Sequence, residues 1–439
     1  MFKILVISIL VFQSLLSFSQ TYWKIENEYG DEILLTINLN NEKKTFEAYT
    51  RKDALKDIAG SLMFTLAKTA GKLKYPEIVF IEGKTQTKKD SLLLTGTFYY
   101  FDKQFAFSAA ISGNSFKGKY IDRNRPRLLS GVKMPNDKPI KNYPLIINTA
   151  FSITEKNLLN PVWLKSDEWT DFREKVNELK PKIADDYELA ATFVWLGKKL
   201  PFSPYEINKL NPASKPNSNK RVALVKELKP NVALLELNSL PETQREMDSI
   251  ATVIDKKKYT KLIIDLRGRS RINPGTSNIL LNYLTNKSFY AGVYLTRKWF
   301  DNNSSIPKPA DYKKLFKGFA DSDFKSGAFS KETGRYLNVV PNGKTFKGKV
   351  YVLTDAKTSK VAEVLAYLLK NEKLALVVGQ KTAGSTMIAE PVKINNEFEL
   401  NLPYSDFYTA ESKSLNQNSI EPDIPVSGED ALKYILKTL

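Results

Sequence analysis

Over the first third of the chain, apolar and polar residues alternate with period two. Ile33, Leu35, Ile37 and Leu39 share one face, as do Phe105, Phe107, Ala109 and Ile111, and Asn40-Asn41, Asp102-Lys103 and Ser112-Gly113-Asn114 punctuate the runs. From residue 21 to about 143 this pattern predicts antiparallel β-structure packed on one amphipathic helix over 52–72. The proline- and lysine-rich segment 126–144 reads as a linker. The period then becomes helical. Ser166 caps a helix bearing Trp169, Phe172, Val176 and Leu179, and Asp185 opens another with Leu189, Ala190, Phe193 and Leu196. A second linker, NPASKPNSNK, covers 211–220.

Past that linker, residues 222–225 and 232–237 read as paired strands, 242–256 as a helix and 262–265 as a buried strand ending in DLRGRSRINPG. Residues 289–346 mix strand and loop. The stretch 347–389 has the sharpest pattern. An apolar, β-branched run at 350–353 is too short for a helix; Thr358 and Ser359 then stand where an N-cap belongs, Glu363 falls in the first turn, and Val361, Val364, Leu365, Leu368 and Leu369 recur at helical spacing. Residues 374–378 return as a strand closed by Gly379. A strand, a sharp turn into a helix and a second strand display their junction, Thr358-Ser359-Lys360, at the edge of a sheet. A short helix ends the chain.

Composition narrows the chemistry. The 439 residues, 42% of them hydrophobic, suffice for two or three packed domains. With neither histidine nor cysteine, Ser-His-Asp catalysis, histidine bases, thiolate nucleophiles, disulfides and His- or Cys-ligated zinc are excluded. Hydroxyl, carboxylate, lysine and tyrosine chemistry remains, and no cofactor or metal is expected. The net charge of +18 is spread in short clusters such as 256–258, 267–271 and 313–317 without aromatic interleaving, a lysine-rich surface rather than a nucleic-acid site. Residues 1–16 carry a lysine and then a broken apolar run, with Ser17 and Ser19 as small residues before a cleavage point ahead of Gln20, so we expect a signal peptide and export to the periplasm, the cell surface or the medium. No later segment is apolar enough to span a membrane.

The motifs of the second half resemble those of the tail-specific (C-terminal-processing) serine peptidases, in the branch without a PDZ domain. The resemblance runs over roughly 148–439 and rests on Asp265-Leu266-Arg267, GKVYVLTD, Glu363, the turn Gly379-x-x-Thr382-x-Gly384 and Glu421-Pro422-Asp423. It implies an α/β fold with a crotonase-like ββα core. The organisation expected is a signal peptide over 1–19, a β-rich accessory domain over 20–145, a helical cap over 146–215 and the peptidase-like core over 220–439.

In that family the nucleophilic serine lies three residues before the glutamate, and a lysine base follows in the Gly-x-x-Thr-x-Gly-Lys turn. The resemblance therefore assigns the nucleophile position to Lys360 and the base position to Ser385, 25 residues on (385 minus 360), with the residue types exchanged. The family's supporting glutamine falls on Ala389, the glycine before its Ile-x-Pro-Asp on Ser419, and the glycines of its oxyanion loop on Ser270, Arg271 and Ile272. Gly268, Arg271 and Val361 are the candidate oxyanion and cleft residues. Where relatives place a Ser-His pair after the helical cap, this chain has Ser203-Pro204.

Three readings follow. In the first, Ser385 attacks with Lys360 as base; a lysine is longer than a serine by ~4 Å, which displaces the reacting oxygen from its donors. In the second, Ser359 is the nucleophile, although one step along a helix turns a side chain by about 100°. The third is a peptidase fold without catalysis that binds an extended peptide or protein C-terminus, or an apolar small molecule, in the former cleft. The loss of serine, lysine, glutamine and oxyanion glycines together favours the third.

Overall fold

The computed structural model describes residues 18–210, 225–236, 241–268, 272, 274–319 and 329–438. The segments 1–17, 211–224 and 269–271 lie outside them, and with them residues 1–17 of the expected signal peptide, the second linker, residues 222–224 and Arg271. The chain forms two compact units, one of the described residues up to Leu145 together with Asn177–Trp195, the other of Ile146–Val176 and the chain from Leu196 onward.

The first unit is a closed eight-stranded antiparallel barrel in which sequential strands pair in order and the last pairs the first: β1 (Phe18–Asn27), β2 (Glu32–Asn40), β3 (Thr45–Tyr49), β4 (Val79–Lys88), β5 (Ser91–Tyr100), β6 (Lys103–Ser112), β7 (Ser115–Asp122) and β8 (Arg125–Met134). The period-two faces read from the sequence point inward: Ile33, Leu35, Ile37, Phe107 and Ala109 are buried among Trp23, Phe46, Phe98 and Phe116. Aromatic rings fill the interior, with Trp23 against Phe116 and Phe98 against Tyr120 at centroid distances of 6.2 and 4.7 Å. Closure depends on close backbone approach at Gly83 and Gly96, which face each other across β4 and β5; a Cβ on either would lie 2.1 or 2.0 Å from a carbonyl oxygen of the opposite strand.

Two expectations need correction here. The 52–72 helix is two helices, α1 (Ala54–Ala59) and α2 (Ser61–Thr69), broken at Gly60, whose φ of 82° lies outside the helical region. The 126–144 linker is shorter, because 125–134 is the strand that closes the barrel. Pro126 sits beside the β7–β8 turn, where one missing amide costs little.

After the barrel strands the chain forms α3 (Tyr143–Asn157) and α4 (Asp167–Leu179), the latter capped as expected by Ser166 Oγ, which accepts from the Trp169 amide at 3.3 Å. In α5 (Asp186–Leu196) the cap is Asp185, accepting the Glu188 amide at 2.8 Å. The carboxylates of α5 hold it on the barrel. Asp185 takes the Leu34 amide, Asp186 takes the Glu32 amide and Lys141, and Glu188 forms a forked pair with Arg51 at 2.6 and 2.9 Å. Desolvation pushes Asp185 up to about 7.

The second unit carries two six-stranded sheets. One has the order β10 (Lys226–Lys229), β11 (Val232–Glu236), β12 (Lys261–Asp265), β16 (Lys349–Thr354), β17 (Leu376–Gly379) and β20 (Ile424–Pro425), parallel except for β10. Its crossover helices are α6 (Gln244–Lys257), opened by a Thr243/Glu246 capping box worth about 1 kcal/mol, and α7 (Pro274–Leu284). The strand at 226–229 pairs with β11 through the turn at Asn231, and the expected strand at 222–225 lies, apart from Val225, outside the described residues.

The other sheet has the order β14 (Lys317–Gly318), β15 (Gly334–Val339), β13 (Phe289–Thr296), β19 (Phe398–Thr409) and β18 (Ile388–Lys393), with β9 (Glu206–Lys209) also on β19. Among the described residues the helices α8 (Arg297–Phe300), α9 (Tyr312–Leu315), α10 (Val361–Asn371) and α11 (Ala431–Thr438) follow. Leu262, Ile264 and Val352 face α6, α7 and α10 in the main core, while Ile263, Leu353 and Val378 face α11. The parallel sheet is therefore buried on both sides, which is why its strands read as unbroken apolar runs.

Candidate functional site

β16 ends at Thr354 and α10 begins at Val361, so the chain must reverse within six residues. Asp355 and Thr358 organise the turn. The Asp355 amide donates to Thr358 Oγ1 at 3.0 Å, the Asp355 carboxylate accepts the Lys357 amide at 3.0 Å, and Thr358 Oγ1 donates to the Leu266 carbonyl at 3.0 Å. The helix therefore starts one residue later than expected. Its N-cap is Lys360, which makes no capping side-chain bond, and neither Thr358 nor Ser359 caps it. Lys360 adopts φ 55°, ψ −134°. That region costs a residue other than glycine about 1–3 kcal/mol and is the conformation of a strained strand-to-helix elbow.

The turn after β17 faces this elbow. The Lys360 amide donates to the Ser385 carbonyl at 2.5 Å and the Ala383 amide to the Thr358 carbonyl at 2.9 Å. Glu363, fully buried in the first turn of α10, fastens the same turn from below. Its carboxylate accepts the Gly384 amide at 2.7 Å, the Ser385 amide at 2.8 Å and the Thr382 hydroxyl. Burial pushes the Glu363 carboxyl up, and the three donated bonds oppose that. Gly384 is required at its position. Its φ is 68°, and a Cβ there would lie 2.8 Å from Ser419 Oγ. Thr382 ties the turn to the C-terminal segment through the amide of Ile420 at 2.7 Å.

One residue past Ser385, Thr386 donates to Asp406 of β19 at 2.9 Å, and Ser414 donates to the same carboxylate at 2.7 Å. Asp406 is fully buried, and among the described residues no cation pairs with it. Desolvation therefore pushes it up to about 6.

On the other side of the elbow, the Asp265-Leu266-Arg267 motif is structural. Arg267 forms a forked pair with Asp265 at 2.8 and 2.6 Å and donates to the Gly428 carbonyl at 2.5 Å, and buried Leu266 donates to the Leu353 carbonyl. Gly268 is exposed, and its amide donates to the Asp355 carboxylate at 3.0 Å. Of the expected oxyanion donors, Gly268 is thus engaged by the elbow itself, and Arg271 lies outside the described residues. Val361 and Ala362 are the first helical amides, and no acceptor among the described residues takes them.

Lys360, Ser385 and Val361 therefore converge on one junction, with Ser359 half-buried just before it. Ala389 lies in β18, opposite Pro403. The sequence reading missed Asp355 and Asp406. An Asp-x-x-Thr pair directly after a strand marks an Asp355-type turn, but nothing local points to Asp406.

The electrostatics of the junction are those of buried carboxylates satisfied by donors. Glu363 and Asp406 face amides and hydroxyls, so the 382–386 turn is held rigidly from two sides. What the arrangement presents outward is a half-buried lysine at an elbow, a half-buried serine beside it and two helix-opening amides.

Residues 231–426 match the model of peptidase family S41. Among solved structures, the chain is similar to a putative peptidase from Parabacteroides merdae (14% identity, TM-score 0.45, covering 67% of this chain and 93% of that one). It is also similar to a lipoprotein from Streptococcus agalactiae (15%, 0.42, 69% and 96%) and to a putative S41 protease from Bacteroides fragilis (15%, 0.32, 96% and 85%). The stretch that matches this family model, 231–426, contains the Asp-Leu-Arg strand end, the elbow and the glutamate-fastened turn.

Proposed function

We propose that this S41-type protein binds without cleaving: it holds an extended peptide or protein C-terminus at the elbow, and Lys360 pairs with a carboxylate of that ligand. The observation that carries the reading is the elbow at 360, which keeps the strained geometry of a nucleophile position yet bears an amine instead of a hydroxyl. Acyl transfer needs an oxygen or sulfur nucleophile beside a base and an oxyanion site beside both. Here the Gly268 amide is spent on Asp355, and the Ala389 side chain can make no hydrogen bond. The peptide component has its own support. Among the described residues β18 is the edge strand of its sheet, it begins three residues after Ser385, and an edge strand accepts an extended chain by strand addition. In this reading the core is crotonase-like, the chain is exported, and cleavage ahead of Gln20 leaves Gln20 paired with Asn38 as the first rung of β1.

A second reading, an active peptidase with Ser385 attacking and Lys360 as base, draws on the 2.5 Å backbone bond that brings these two residues together. One experiment separates the two. The wild-type protein should resist fluorophosphonate labelling and leave unfolded substrates intact, while binding a fluorescent peptide with a free C-terminal carboxylate more tightly than its amidated form. Lys360→Ala should abolish that preference. Stoichiometric labelling at Ser385 that disappears in Lys360→Ala would establish the peptidase instead.

A further inference from the structure

The barrel unit carries an apolar face that its own packing leaves uncovered. In the nine-residue helix α2, Phe64 is buried, whereas Leu62, Met63 and Leu66 are 73, 58 and 57% exposed. The three fall within about 100° of one another around the helix axis, so they form one projecting patch and not scattered surface residues. Just past the helix's C-terminal end Lys72 is exposed, as is Lys52 shortly before α1, while the exposed Lys68 lies on the other side of the helix from the patch. Single exposed apolar side chains are ordinary, but three adjacent large ones at a helix tip mark an interaction surface.

Size and charge choose the occupant. Three exposed side chains on a helix about 13.5 Å long cover only a small part of the roughly 800 Å² per partner that a stable protein interface requires. A lipid surface has no such threshold. A short helix can lower a few apolar side chains into the headgroup region while flanking lysines meet anionic headgroups, and the +18 net charge of the chain adds attraction at a distance. We propose that α2 is a membrane-interface element that seats the barrel on anionic phospholipid, with Leu62, Met63 and Leu66 inserted, Lys72 at the headgroups and the other lysines attracted from a distance.

The test uses the chain from Gln20 onward, so that the apolar segment 1–16 cannot carry the binding, with vesicles of phosphatidylglycerol and phosphatidylcholine at 3:7. Wild type should co-sediment with these and not with pure phosphatidylcholine. The triple variant Leu62→Ser, Met63→Ser, Leu66→Ser should partition at least tenfold less, and Lys68→Glu with Lys72→Glu should also weaken binding. Because the triple variant could disturb folding, Leu62→Trp supplies a direct readout: its emission should shift to the blue only when the anionic vesicles are added. Absence of vesicle binding would overturn the proposal, as would equal binding by the triple variant, which would mean charge alone. Concentration-dependent self-association lost in the triple variant would overturn it too, by assigning the face to a second copy.

Discussion

Asp406→Asn isolates what one buried carboxylate costs the core. Asp406 is fully buried, accepts from Thr386, Ser414 and the Phe407 amide, and is held up at about 6 against a usual 3.8 because desolvation outweighs those bonds. A carboxyl whose folded pKa lies above its unfolded value contributes stability below the unfolded value and loses it as the pH rises through the folded one. The loss therefore falls between pH 4 and pH 6–7. At 1.36 kcal/mol per pH unit it amounts to about 3 kcal/mol. Asparagine mimics the neutral acid: its carbonyl keeps the Thr386 and Phe407 donors, and its amide can donate to Ser414 once that hydroxyl turns. Asn carries no charge to titrate. The stability difference between variant and wild type should then grow in the variant's favour by about 2–3 kcal/mol from pH 4 to pH 7.5, whatever constant offset the substitution adds. Urea unfolding read by pulsed hydrogen exchange over the β19 peptide measures it without interference from the barrel unit. A difference that stays flat across that range would refute the assignment of the cost to Asp406.

Glu363→Gln leaves only one oxygen for the Gly384 and Ser385 amides and turns an NH₂ group toward the other, so one of these amides should exchange at least tenfold faster, at a cost of about 1–3 kcal/mol; unchanged exchange at both would show that the turn holds itself. In wild type the raised Glu363 carboxyl should also lose stability as the pH climbs through its folded pKa, a component that Gln removes. Lys360→Gly relieves about 1–3 kcal/mol of backbone strain and concedes about 0.5–1 kcal/mol of chain entropy, so thermal unfolding should show a net gain of about 1 kcal/mol; a loss would mean that the lysine side chain contributes more packing than the elbow costs.

How much was readable in advance follows from the range of the interactions. The crossover helices and the parallel strands are local patterns, and Glu363, Thr382 and Gly384 stand close enough in sequence to mark one motif, so the junction of Lys360 with Ser385 was legible. Barrel closure was not, because the pairing of β1 with β8 joins residues such as Tyr22 and Met134, and no local signal encodes it. The proline-rich look of 126–144 concealed a strand, since proline tolerates the position beside a turn. The engagement of Gly268 by Asp355 spans 87 residues, so the loss of that donor emerges only from the folded chain.

The elbow draws these threads together. A lysine at φ 55° and ψ −134° persists only where its surroundings over-determine it. They do: Thr358 anchors the approach to Leu266, Asp355 binds Gly268, and the Ser385 carbonyl takes the Lys360 amide while Glu363 holds the Ser385 amide. Every one of these bonds fixes backbone, and none requires a particular side chain at 360. The scaffold would accept glycine there with less strain, so the strain borne by a lysine argues that the position serves its side chain. The elbow is then a device for presenting the group at position 360, and in the proposed reading that group is an amine that can hold a carboxylate.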